Sequence, residues 1–185
     1  MKLNNMKSAT IILTVLLLTL VGACKKGEYY QLTDDEMKWL VFKNYEVIKF
    51  KSGPLHMDYI VKLRSKAYER DGDTYSEFTS ALFEQVNDTA AYFQEDSRGE
   101  LYIFKGSNGF LVTFSWPHFP LKGVPLNNLI PNVVTIGGIN YNDVFVIDAT
   151  GLTDLRFYNK KIWYSKSRGI LQIEDVAGTT WIRQF

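Results

Sequence analysis

Asn108-Gly109-Phe110-Leu111-Val112-Thr113-Phe114-Ser115-Trp116 decides the fold class. Phe110, Val112, Phe114 and Trp116 alternate with Leu111, Thr113 and Ser115, the period of two that puts one set of side chains on one face of a strand. Asn108-Gly109 marks a tight turn before it, because glycine adopts the positive φ that such turns require. The same pattern recurs outward in both directions. Met57, Tyr59, Val61 and Leu63 alternate with Asp58, Ile60, Lys62 and Arg64, and Asp71-Gly72 is a hairpin turn leading into a strand over 75–86. A polar turn at Asn87-Asp88 follows, then strands over 90–94 and 100–104 around a turn at 96–99.

Beyond a proline-containing connection at 117–131, further strands are expected over 133–136, 141–147, 155–158, 162–165, 170–174 and 180–183. Asn159, Ser167-Arg168-Gly169 and Ala177-Gly178 separate the later ones. About ten or eleven strands with little helix predict an all-β domain, an antiparallel meander curled into a sheet or half-barrel. One short N-terminal helix precedes it. Thr33-Asp34-Asp35-Glu36 matches a capping box, and Met37, Leu40 and Val41 would form its apolar face over about two turns. Residues 45–51 then read as extended.

The N-terminus has a different grammar. Lys2 and Lys7 precede an uncharged stretch at 8–23 whose apolar centre, 11–21, is shorter than the roughly 20 residues that cross a bilayer. Val21-Gly22-Ala23-Cys24 resembles the bacterial lipobox: an aliphatic residue, two small ones, then the cysteine. The resemblance implies a bacterial lipoprotein, with residues 1–23 as signal peptide, diacylglycerol on the Cys24 thiol and a fatty acyl group such as palmitate on its new amine. Residues 24–30 would then be a lipidated tether and 31–185 a single β-rich domain. One acyl chain gives only reversible binding, on the order of 10⁴ M⁻¹, whereas two or three hold a domain durably. Lys25, rather than Asp, after the cysteine favours the outer membrane of the cell envelope, on its periplasmic face or the cell surface. The stretch Tyr164-Ser165-Lys166-Ser167-Arg168-Gly169-Ile170, with Asp175, Gly178 and Trp181, resembles the C-terminal hairpin of small uncharacterised all-β envelope lipoproteins. The plan as a whole resembles the curved half-barrels of envelope lipoprotein carriers.

Charge and composition narrow the functions. The whole chain carries a formal +1, and the leader's two lysines leave the remainder near neutrality, so nothing favours nucleic acid. A lone cysteine forms no disulfide within the chain. The chain has 4 Trp, 11 Tyr and 12 Phe, side chains that pack well on a pleated sheet. Only two histidines occur, His56 and His118, and there is no HExxH, CxxC, GxSxG or phosphate loop. No catalytic group, metal or cofactor is therefore expected.

The most site-like stretch is Ser115-Trp116-Pro117-His118-Phe119-Pro120. Two prolines stiffen it, and Trp116, His118 and Phe119 form either a ligand or partner loop or a rigid structural corner. His56, after Gly53-Pro54-Leu55, reads as a solvated loop residue. Capping accounts for Asp34, Asp35 and Glu36, and a hairpin turn for Asp71 and Asp73. Lys160, Lys161, Lys166 and Arg168 read as a solvated face that could otherwise meet lipid headgroups or an acidic partner. The expectation is a non-enzymatic envelope protein that binds or assembles with another, held to a membrane through Cys24. The alternative is a carrier or sensor of an apolar, lipid-like ligand, in which the alternating aromatics line a cavity. An envelope hydrolase ranks third.

Overall fold

The computed structural model describes residues 27–86, 98–117, 119–121, 123–151 and 159–185. In chain order the elements are β1 (Glu28–Tyr30), α1 (Asp34–Met37), β2 (Val47–Ser52), β3 (Leu55–Leu63), β4 (Ala67–Asp71), β5 (Thr74–Gln85) and β6 (Arg98–Gly106). Then come β7 (Gly109–Ser115), β8 (Val124–Pro125), a single 3-10 turn at Leu126–Asn128, β9 (Asn132–Ile136), β10 (Ile139–Asp148), β11 (Asn159–Ser165), β12 (Gly169–Asp175) and β13 (Thr180–Gln184). The thirteen strands form one sheet, curled into a half-barrel; eleven run in the order β8-β7-β6-β5-β3-β2-β13-β12-β11-β10-β9, and β1 and β4 both pair with β5.

Two antiparallel meanders make this sheet, and a non-local seam joins them. At the seam β13 lies antiparallel to β2, with Ile182 opposite Lys51 and Arg183 opposite Phe50. β5 is long enough to hold two partners on each edge. One edge carries β3 and β4; the other carries β6 and, in parallel, β1. Residues 28–30, the expected end of a tether, are thus part of the sheet.

The concave face is the core. Phe50, Val61, Phe83, Leu101, Ile103, Val112, Ile162 and Tyr164 are fully buried, as the period of two requires. Each such side chain contributes roughly 1.5–3 kcal/mol of burial free energy. β12 departs from strict alternation: a register shift sets Tyr164 opposite Ile170 but Trp163 opposite Gln172. Leu171 consequently turns to the convex face, where Ile136, Val144 and Leu171 form a second buried cluster beside Trp163 and Ile182. The β9–β10 hairpin reaches that face through a shift between Tyr141 and Val144 and a turn at Gly137-Gly138, whose φ values are 59° and 81°.

The capping box is present. Thr33 Oγ1 accepts the Glu36 N–H, and the Glu36 carboxylate accepts the Thr33 N–H. The helix, however, is one turn long rather than two. After Lys38 the chain drives Trp39 and Phe42 into the open end of the half-barrel, leaving Met37, Leu40 and Val41 half-exposed at its rim. Tyr164 Oη donates to the Trp39 carbonyl at 2.5 Å, an acceptor that a longer helix would need for itself. Burial of two large aromatics outweighs the few hydrogen bonds of another exposed turn. Other expectations also shift. His56 lies on β3 opposite Lys51, not in a loop, and Gly99 lies inside β6 rather than in a turn. The connection at 117–131 holds β8 and the 3-10 turn. The expected turn at 87–88 and strands over 90–94 and 155–158 lie outside the described residues.

Candidate functional site

β5 runs from Thr74 to Gln85, and β7 lies parallel to it two strands away. Ser115 and Trp116 therefore fall at the Gln85 end, while β1 and the β4–β5 turn mark the opposite end. Trp116 and Phe119 turn inward, 3% and 2% exposed. The Trp116 ring stands 4.6 Å from Tyr59, 5.2 Å from Phe83 and 5.9 Å from Phe114. Asn159 Nδ2 donates to the Pro117 carbonyl at 2.8 Å and the Phe119 N–H to the Trp116 carbonyl, so the corner is tied to β11. The buried Trp116 indole N–H has no acceptor among the described residues. His118 and Cys24 lie outside them. The aromatics that would line a carrier's cavity touch one another: Phe114 also packs 5.7 Å from Tyr164 and 6.3 Å from Phe83.

At the opposite end, a cleft of about 460 Å³ lies between the 38–41 segment and the β11–β12 turn, lined by Lys38, Leu40, Val41, Asp143, Lys166 and Ser167. Its charges are engaged. Asp143 accepts from the Ser165 hydroxyl and the Ser167 N–H, both at 2.8 Å. Desolvation raises its pKa, but these hydrogen bonds outweigh that and hold the carboxyl below its ordinary range. Lys166 stands 5.5 Å over the Trp39 ring. The basic cluster noted in the sequence is largely paired, Lys160 with Glu174 at 2.9 Å and Lys161 with Asp148 at 2.8 Å.

Two surfaces escaped the sequence reading. The first is the extension that β1 and β4 build on the start of β5. Residues opposite one another in a sheet share a face, so Tyr29, Arg70 and Tyr75 stand together, with Tyr68 beside them opposite Glu77. Tyr29 stacks on Tyr75 at 4.5 Å, and the Arg70 guanidinium lies 5.4 Å over the same ring. Glu28, Glu69 and Asp71 occupy the other face, beside a polar cleft of about 240 Å³. The alternation Tyr68-Glu69-Arg70-Asp71 was the available signal. The second is β9, which among the described residues pairs only with β10. Val133 is 76% exposed there, and neighbouring Ile130 82%.

The described residues thus define a curled all-β domain with aromatic rings packed on one another along its concave face, a clamped first strand and an open sheet edge. No protein-family model, curated protein or solved structure matches the chain. Among the described residues no group of three or more His, Cys, Asp or Glu could hold a metal, and no helix is long and apolar enough to cross a membrane.

Proposed function

We propose that this chain is a lipid-anchored protein of the cell envelope, tethered through Cys24, most simply in the outer membrane, and that its domain is a non-enzymatic binding or assembly module. The open β9 edge is the observation that carries the binding role. The turn at Gly137-Gly138 makes Ile136 and Ile139 a hydrogen-bonded pair, so Val134 and Tyr141 form the next one. The peptide groups of Val133 and Thr135 then point away from β10. A row of outward peptide groups flanked by exposed Val133 and Ile130 suits an extended segment of another envelope protein, added as one more strand. The carrier alternative has less support, because its cavity would have to open where Phe83, Phe114, Trp116 and Tyr164 already touch.

The test is a photo-crosslinking side chain at position 133 of the anchored protein in its own cells. A discrete adduct with one envelope protein is expected. Thr135→Pro should abolish it, since proline removes an outward N–H without touching the ladder to β10. An adduct that survives Thr135→Pro, or no adduct, would reject strand addition.

A further inference from the structure

Resting on the lipid anchor proposed above, we infer that the face bearing Tyr29, Tyr68, Arg70 and Tyr75 lies on the headgroup layer of the anchoring membrane. The tether sets the distance. Only three peptide steps separate Cys24 from Gly27, a reach of about 10 Å when fully extended. Gly27 is already fixed to the domain. A Cβ there would stand 2.7 Å from the Tyr75 ring and 2.8 Å from the Asp73 carbonyl, and the next residue donates its N–H to that carbonyl at 2.8 Å. Polar headgroups occupy roughly 5–7 Å of each leaflet. Acyl chains on Cys24 therefore hold β1 and the β4–β5 turn at the bilayer surface, whatever the rest of the domain does.

The chemistry of the extension decides which face turns down. Tyr29 is 61% and Tyr68 48% exposed, although both rings are large enough to be core residues. Tyrosine is the side chain that settles at a membrane interface, its ring among the upper acyl carbons and its hydroxyl among the headgroups. Arg70 is the one formal charge among the four residues. Its Nε donates to the Gly72 carbonyl at 2.9 Å, which leaves the terminal nitrogens to meet a lipid phosphate. Glu28, Glu69 and Asp71 are on the opposite face, away from a surface that would repel them. Glu77, the carboxylate on the tyrosine face, is buried and accepts from the Leu32 N–H and from Lys66. A soluble acidic partner would also suit Arg70, but it would have to enter a gap of about 10 Å beneath the tether.

The test uses the full lipidated protein in vesicles of phosphatidylethanolamine and phosphatidylglycerol. Gln31→Cys, beside Tyr68, and Ala177→Cys, in the β12–β13 turn at the far end, each add one free thiol for a nitroxide label, because lipid occupies the Cys24 sulfur. The label at 31 should be several-fold less accessible to a water-soluble nickel chelate than the label at 177, and should stay so at high salt. Adding Tyr29→Ser with Tyr68→Ser should erase the difference while the β-type circular dichroism persists. Equal accessibility of the two labels in a lipidated chain overturns the orientation and leaves the anchor standing. A difference that survives loss of both tyrosines overturns their role. A chain whose mass shows no diacylglycerol overturns anchor and orientation together.

Discussion

Gly169→Ala tests the plug that closes the core. Gly169 has φ +78°, and a Cβ built on it overlaps Phe42 Cζ and stands 2.6 Å from Phe42 Cε1. Carbon atoms in contact prefer about 3.5–4.0 Å, so the ring must retreat by about 1 Å or more. It has nowhere easy to go. Phe83 meets it edge-on at 5.0 Å, and the Arg183 guanidinium lies 5.7 Å from its centre. Arg183 is itself held by Glu46 at 2.6 Å and by the Arg168 carbonyl at 2.5 Å. The left-handed backbone costs an alanine about 1–2 kcal/mol, and overpacking adds about 1–3. A loss of about 2–5 kcal/mol corresponds to a drop in Tm of about 4–20 °C at this chain length. The assay is thermal unfolding of Gly169→Ala, Phe42→Leu and the double variant. Leucine has no atom at Cε1 or Cζ, so it removes the overlap but not the backbone strain. The double variant should therefore be about 1–3 kcal/mol more stable than the sum of the single losses implies. Additivity within about 0.5 kcal/mol would refute the contact between Phe42 and Gly169.

Cys24→Ser should leave the leader uncut and abolish fatty-acid labelling; normal cutting and membrane retention of that variant would refute the anchor. Trp116→Ala should cost about 3–5 kcal/mol in chemical denaturation, whereas His118→Ala should melt like the wild type and keep the cellular phenotype. A wild-type melt with lost phenotype in His118→Ala would make the Trp116-to-Phe119 corner a site. Desolvation raises the Asp148 pKa, but hydrogen bonds from Lys161 and Thr150 outweigh it and hold the carboxyl at about 2. Because the folded value lies below the unfolded one, near 3.9, Asp148 adds stability above about pH 4 that is lost as pH falls towards 2. Asp148→Asn should flatten that acid limb in melts taken across the window, and an unchanged slope would count against the Lys161 pair.

What could be read from the sequence was what is local. The Asp71-Gly72 turn, the capping box at Thr33 and the alternation in β7 each depend on a few adjacent residues, and each is present. Three features depend on partners far along the chain and leave no local mark. Trp39 and Phe42 belong to no regular element, so no periodicity shows that they fill the open end. Arg183 looks like a surface residue of a terminal strand, yet it is 9% exposed and takes its partners from Glu46 and Arg168. The start of β3 at Leu55-His56 was hidden because Gly53-Pro54 before it marks a turn, and His56 follows that turn too closely to look paired. At the candidate sites, Trp116 and Phe119 are buried, as a rigid structural corner has them, while Tyr29, Tyr68 and Val133, which no sequence pattern singled out, are exposed.

The seam between β2 and β13 sets an order of events in time. A chain threaded out of a ribosome or an export channel delivers residues 47–52 long before residues 180–184. Until the late strand arrives, β2 shows one bare edge and β12 another, each able to capture the wrong strand. Closing so distant a contact is slow, in the range of milliseconds to seconds for sheets of this kind. During that interval the newborn molecule depends on whatever shields it, and the half-barrel exists only once its last strand has been laid down the middle.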